Sequence, residues 1–125
     1  MTYLPKELLF VVLLVASTTF RCAPVYQEPA VVYVRPMETA EGTLYITNSQ
    51  DRVRREALHY GFAAPRGYQV SGFWHHWEKV GWSLDKPDVI AHERCHMLGY
   101  THEEMARYQA QGGTGPCPAE TKAAR

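Results

Sequence analysis

The spacing of apolar residues changes several times along this chain, and each change marks an element. Leu8 to Ala16 is unbroken apolar sequence behind a polar start at Lys6, followed by small and hydroxyl residues. That order is expected of an export signal over residues 1–22, and the run is too short for a membrane span of about 20 residues. Val15-Ala16-Ser17 supplies small residues for cleavage. The next piece, "CAPVYQEPAVVYVRP", carries three prolines and reads as a linker entering a first strand near Val31 to Val34. "TLYIT" at 43–47 is a second strand between Gly42 and Asn48, and an antiparallel pairing of the two is allowed by the intervening turn.

A helical period follows. Asn48 or Ser49 can cap "QDRVRREALHYGF", which places Val53, Ala57, Leu58 and Tyr60 near one side and Arg52, Arg54, Arg55 and Glu56 largely on the other, with Gly61 as the stop. The three arginines read as a solvated helix face. "GYQVSGFWHHWEKVGWSL", punctuated by Gly67, Gly72 and Gly81, holds one or two strands, with Trp74, Trp77 and Trp82 as core aromatics. Alternation lets at most one of His75 and His76 face a given cleft.

Asp85, Pro87 and Asp88 suit a helix start, so a helix is expected from about Lys86 to Leu98, ending at Gly99. Thr101 and Glu104 form a capping box for another helix, "HEEMARYQAQ", ending at Gly112. These elements predict one α+β domain: a small, mostly antiparallel sheet packed with a central helix, an earlier helix and a short capped one. The segment from Gly112 is Gly/Pro-rich and then polar, and residues 117–125 are expected to be a flexible tail.

Composition adjusts this picture in two places. Lys plus Arg and Asp plus Glu both total 13, so a formally neutral chain offers no electrostatic reason for nucleic acid or an anionic membrane as partner. The three cysteines leave Cys95 and Cys117 as a possible pair in an oxidising compartment if Cys22 is acylated or removed. Cys22-Ala23-Pro24 resembles the acylated start of a bacterial lipoprotein, although Arg21 departs from that pattern. An exported protein, periplasmic or extracellular, is the expected setting, with membrane attachment through a lipidated Cys22 as an alternative to a retained thiol or to its removal with the leader.

The chemistry concentrates in "AHERCHMLGYTHEE". His92 and His96 stand one helical turn apart and can direct ring nitrogens at one ion. Glu93 can reach a water on that ion without ligating it. Gly99 can take the left-handed conformation that swings the chain back, so that His102 approaches as a third ligand. Its place at the positive end of a helix favours the neutral imidazole.

His92-Glu93-x-x-His96-x-x-Gly99-x-x-His102 resembles the long zinc signature of the metzincin metallopeptidases. That resemblance implies a zincin-like domain over residues 23–116, Zn2+ held by His92, His96 and His102, Glu93 as catalytic general base, and a peptide or protein substrate. The family also places a methionine-containing turn beneath the zinc. Here 23 residues follow His102, and Met105, the methionine among them, belongs to the capped helix. Glu103 and Glu104 are too near to act as a distant glutamate ligand, though either could replace His102 locally.

Hydrolysis would call on an oxyanion donor among Tyr100, Tyr108 and the His75–His76 pair, with a peptide lying along Phe73 to Trp77. The competing readings are a non-catalytic cell-envelope protein that retains a metal and a cell-wall amide hydrolase.

Overall fold

The computed structural model describes residues 27–63 and 69–122. The leader with Val15-Ala16-Ser17 and Cys22, Gly67, and the last three residues lie outside them.

Chain order is β1 (Val34–Thr39), β2 (Gly42–Thr47), α1 (Gln50–His59), β3 (Gly72–His75), β4 (Val80–Leu84), α2 (Pro87–Met97) and α3 (His102–Ala110). The four strands form one open mixed sheet in the order β1-β2-β4-β3. β1/β2 and β3/β4 pair antiparallel, whereas β2/β4 pair parallel. The parallel pair follows from connectivity, because a chain that leaves β2 must cross over before it can run beside it in the same direction. The fold is the expected small α+β domain, with its two aromatic strands joined by a four-residue turn.

Alternation along the strands builds a core on each face of the sheet. Leu44 and Ile46 pack with Met97, joined by Met37, Trp74 and Ile90 on the α2 side. Phe73, Trp82 and Leu84 pack with Val53 and Ala57 of α1. Tyr45 and Trp82, register partners across the parallel pair, stack with ring centroids 4.9 Å apart. In α1 the cap is Ser49, whose Oγ accepts from Arg52 N at 3.0 Å. That hydroxyl also donates to Glu28 at 2.6 Å, which ties the chain before β1 to the helix start.

Four expectations need correction. The first strand is not Val31 to Val34 but Val34–Thr39, and Val31 is 78% exposed. β1 is an edge strand, where little burial is demanded and Pro36 deprives no neighbour of a ladder donor. The valines before it are attached through Asn48, whose Nδ2 donates to Val31 O and whose Oδ1 accepts from Tyr33 N. Asp85 does not cap α2: its carboxylate receives Tyr33 Oη–H and Arg35, and Pro87 at the first turn starts the helix after an N-cap Lys86 that makes no side-chain cap bond. Trp77 is no core residue, since it stands on the β3–β4 turn, 86% exposed.

The fourth correction concerns the tail, which is fastened as far as Lys122. Cys95 and Cys117 form a disulfide with Cα atoms 5.9 Å apart. Beyond it, Glu120 O accepts from Tyr100 Oη at 2.9 Å, Lys122 N donates to Leu98 O at 2.9 Å, and Lys122 Nζ meets Glu104 at 2.7 Å. A third core of Cys95, Leu98, Tyr100, Met105 and Cys117 lies under this strap.

A bridge across 22 residues of sequence restricts the unfolded chain. Replacing Cys95 and Cys117 together by alanine is expected to lower stability by about 2–4 kcal/mol. A fall in the urea midpoint measures it, and an unchanged midpoint would show that the remaining contacts of the strap suffice.

Candidate metal centre

The α2 helix presents three surfaces. Ile90 and Met97 face the sheet, Cys95 and Leu98 face the C-terminal strap, and His92 and His96 line a cleft of about 920 Å³. Gly99 ends the helix at φ +98°, a conformation a residue without Cβ adopts readily, while Tyr100 N bonds Cys95 O and Gly99 N bonds His96 O, both at 3.0 Å. The reversed chain then starts α3. Thr101 Oγ1 accepts from Glu104 N, and Glu104 Oε1 accepts from Thr101 N, both at 3.2 Å, so the capping box read from the sequence is formed. His102 is the first residue of that helix and turns back to the cleft.

The three Nε2 atoms converge. His92 and His102 are 3.0 Å apart, and His96 lies 3.1 Å from each. Three tetrahedral ligands about 2.0–2.1 Å from one ion stand about 3.3–3.4 Å apart, so a shift of a few tenths of an ångström would seat an ion among these atoms. The rings are crossed: His96 stands at 78° to His92 and 85° to His102. Behind it, His96 Nδ1 donates to Tyr100 O at 2.8 Å. A carbonyl can only accept, so that proton sits on Nδ1 and leaves the Nε2 lone pair directed at the cluster.

Burial, with a smaller contribution from the charge of His102, holds His92 below the usual imidazole range. Burial also lowers His96, against the opposing bond to Tyr100 and aided by His102 and His92. Both effects favour the neutral ring that a cation requires. The three histidines could therefore hold a metal ion, and their geometry alone does not select which.

Glu93 is 4% exposed, and its Oε2 has no hydrogen-bond partner among the described residues. Burial pushes this carboxyl up to about 8. It lies against Gly72 of β3, where a Cβ would come within 2.8 Å of Glu93 Cγ and Oε1. Glycine at 72 is thus the space in which the Glu93 side chain sits. An orphaned buried carboxyl is costly alone, and a cation bound nearby would favour its ionised form, which fits a metal at the histidine triangle.

Not every residue named from the sequence reaches this place. His75 accepts from Glu78 N and packs on Tyr60 and Phe62, so it does not line the cleft. Tyr108 donates to Thr114 O, away from it. Tyr100 lines the cleft, but its hydroxyl is engaged with Glu120 O, whereas His76 lines it from the β3–β4 turn. Glu103 pairs with Arg107, and Glu104 serves the cap and Lys122, so neither substitutes for His102. Met105 packs beside the disulfide, as expected of a residue of the capped helix. Two contributors were not recognised from sequence: the Tyr100 carbonyl, which any residue could have supplied, and Gly72, whose signal was a glycine inside a strand pattern.

Comparison with models of protein families, with curated proteins and with solved structures finds no match. The case for the site is therefore geometric.

Two outcomes follow from this geometry. In metal-free protein the unfolded chain releases the Glu93 proton near 4.5 while the folded chain keeps it to about 8, so stability present below 4.5 is lost as pH rises through that window. Glu93→Gln cannot ionise, and relative to it the native chain should lose about 4 kcal/mol between pH 4.5 and 8. Urea titrations at pH 5 and pH 9 measure the difference, and parallel curves for the two proteins would contradict the assignment. Zn2+ at a hundredfold excess over its Kd should add about 2.7 kcal/mol to the native chain. His96→Ala should abolish that shift in a thermal melt, and an equal shift in the variant would place the ion elsewhere.

Proposed function

We propose that this chain is a zinc-dependent metalloendopeptidase of metzincin type. One observation carries the proposal: three imidazole Nε2 atoms within 3.1 Å of one another on the wall of an open cleft that also contains the buried Glu93. The spacing of those residues, with Gly99 at the turn, supports the family resemblance. A structural zinc is usually enclosed by a fourth protein ligand, and among the described residues the cluster offers three. The open position suits a water and a substrate.

His92, His96 and His102 would hold Zn2+, which when bound lowers the pKa of water toward about 7 and polarises a carbonyl. Glu93 receives the proton of the attacking water at its carboxylate and passes it to the departing amine. Tyr100 O holds His96 in the tautomer that binds, and Gly72 leaves room for Glu93. Among the side chains considered as donors to the tetrahedral oxygen, His76 is the one that reaches the cleft without a hydrogen bond already formed to the described residues. The substrate lies extended along β3, an edge strand whose residues Gly72 to Trp74 line the cleft and whose outer side has no neighbouring strand among the described residues.

The disulfide is compatible with an oxidising compartment. We propose that the protein lies outside the cytoplasm on that basis and on the leader sequence, with Cys22 either lipidated, kept as a thiol or removed with the leader. Mass spectrometry of the mature N-terminus reads this directly.

The deciding experiment measures zinc content and hydrolysis of a mixed library, containing ordinary peptides and cell-wall peptides, for the native chain and Glu93→Gln. Both proteins should bind one zinc, with cleavage in the variant reduced by about 10²–10⁴-fold. Zinc in both and cleavage in neither would make the chain a non-catalytic metal-holding envelope protein. Cleavage confined to cell-wall amides would make it an amide hydrolase using the same site.

A further inference from the structure

Two of the three histidines stand on one helix, and the third is held in place by other means. His92 and His96 belong to α2, which packs on the sheet through Ile90 and Met97. His102 begins α3, whose buried side chain, Met105, takes part in neither of the cores on the sheet. Met105 packs instead with Cys95, Leu98, Tyr100 and Cys117. The position of His102 relative to the helical pair is therefore set by the Gly99 turn and by a core built around the disulfide.

The C-terminal strap closes over that turn. Lys122 N donates to Leu98 O at 2.9 Å, and a Cβ placed on Gly99 would lie 3.4 Å from Lys122 Cβ. Tyr100, whose carbonyl orients His96, donates its hydroxyl to Glu120 O at 2.9 Å. Lys122 Nζ stands 2.7 Å from Glu104 Oε1, the carboxylate oxygen that completes the cap of the helix bearing His102. Beyond Cys117 the strap is thus fastened by single hydrogen bonds and a partly exposed ion pair, each of small net worth in water. Its covalent tie is the Cys95–Cys117 bond, one residue before the ligand His96.

We infer that the Cys95–Cys117 bridge is a redox control on the metal site. Closed, it keeps the strap on the turn and holds His102 against His92 and His96. Open, it releases α3 from α2, and the ion is bound more weakly. The inference rests on the metal reading of the histidines and is independent of peptidase activity. Opening consumes a dithiol, whose two sulfurs close to a disulfide as two electrons and two protons pass to Cys95 and Cys117, leaving them as thiols. Neither cysteine lines the cleft, so the freed thiols supply no replacement ligand there. Both are buried, so the reductant reaches the bond after the strap lifts. Coupling of this kind is reciprocal: if opening weakens the hold on the ion, the bound ion opposes opening.

The test uses the full chain carrying Cys22→Ser, which leaves the two sulfurs of the bridge. Zn2+ affinity is measured by competition with a chromogenic chelator for the oxidised protein, for protein reduced with a water-soluble phosphine, and for Cys95→Ser/Cys117→Ser, which has no thiol to bind the ion. Near-ultraviolet circular dichroism of the stacked Tyr45–Trp82 pair follows the sheet in each. Both open forms should bind zinc about 10–100-fold more weakly than the oxidised chain, with the sheet signal kept. Saturating zinc should slow reduction by the phosphine by a similar factor, and His102→Ala should lose that protection. Equal affinities for the open and closed forms, or reduction at one rate with and without zinc, overturn the inference and leave the metal site standing. A sheet signal lost with the bridge overturns it too, since the disulfide is then a staple of the whole fold. An oxidised chain that holds no zinc removes the metal reading itself, and the inference with it.

Discussion

Three ring nitrogens directed at one point from two helices are a demand that no single element can meet. The three rings meet Nε2 to Nε2, so the arrangement depends on how rigidly the surrounding protein holds α2 and the turn after it. The Gly99 turn is the centre of that constraint. It carries the backbone bonds that end α2, presents Tyr100 O to His96, and launches the capped helix that bears His102. Each link is local in sequence, which is why His92 to Glu104 can be so compact and still supply ligands from different directions.

The rest of the fold supports that turn from outside. The disulfide anchors the C-terminal strap to the last turn of α2, at the residue just before His96. Lys122 then reaches across to Leu98 O and to Glu104, joining the end of one helix to the start of the next. On the sheet side, Met97 packs on Leu44 and Ile46 while Glu93 occupies the space at Gly72. A small domain has few core residues to spare. Here nearly every side of α2 other than the cleft is in contact, and the exposed side is the one with the ligands.

This arrangement also explains the electrostatics of the cleft. Burial depresses His92 and His96 and raises Glu93, so in the absence of an ion each of these three groups is biased toward its neutral form. A cation reverses the balance for Glu93 and leaves His92 and His96 in the form they already prefer. Asp88, at the mouth of the same helix, stands apart because solvent and the helix dipole bear its charge.

Much of the site was legible along the chain, because its parts are periodic or adjacent: an i, i+4 histidine pair, a glycine stop, a Thr-x-x-Glu box. The helices and β2 were legible for the same reason, their apolar spacing being determined by burial on one face. By itself the sequence determined which residues could become ligands and where the chain must turn. The tertiary structure alone decided that Val34–Thr39 and not the valine run forms the edge strand, that Asp85 serves Tyr33 and Arg35, that Trp77 stays in solvent, and that Gly72 receives Glu93. Those outcomes turn on contacts between distant segments, and a pairing energy shared by two residues far apart leaves no periodic trace in either one.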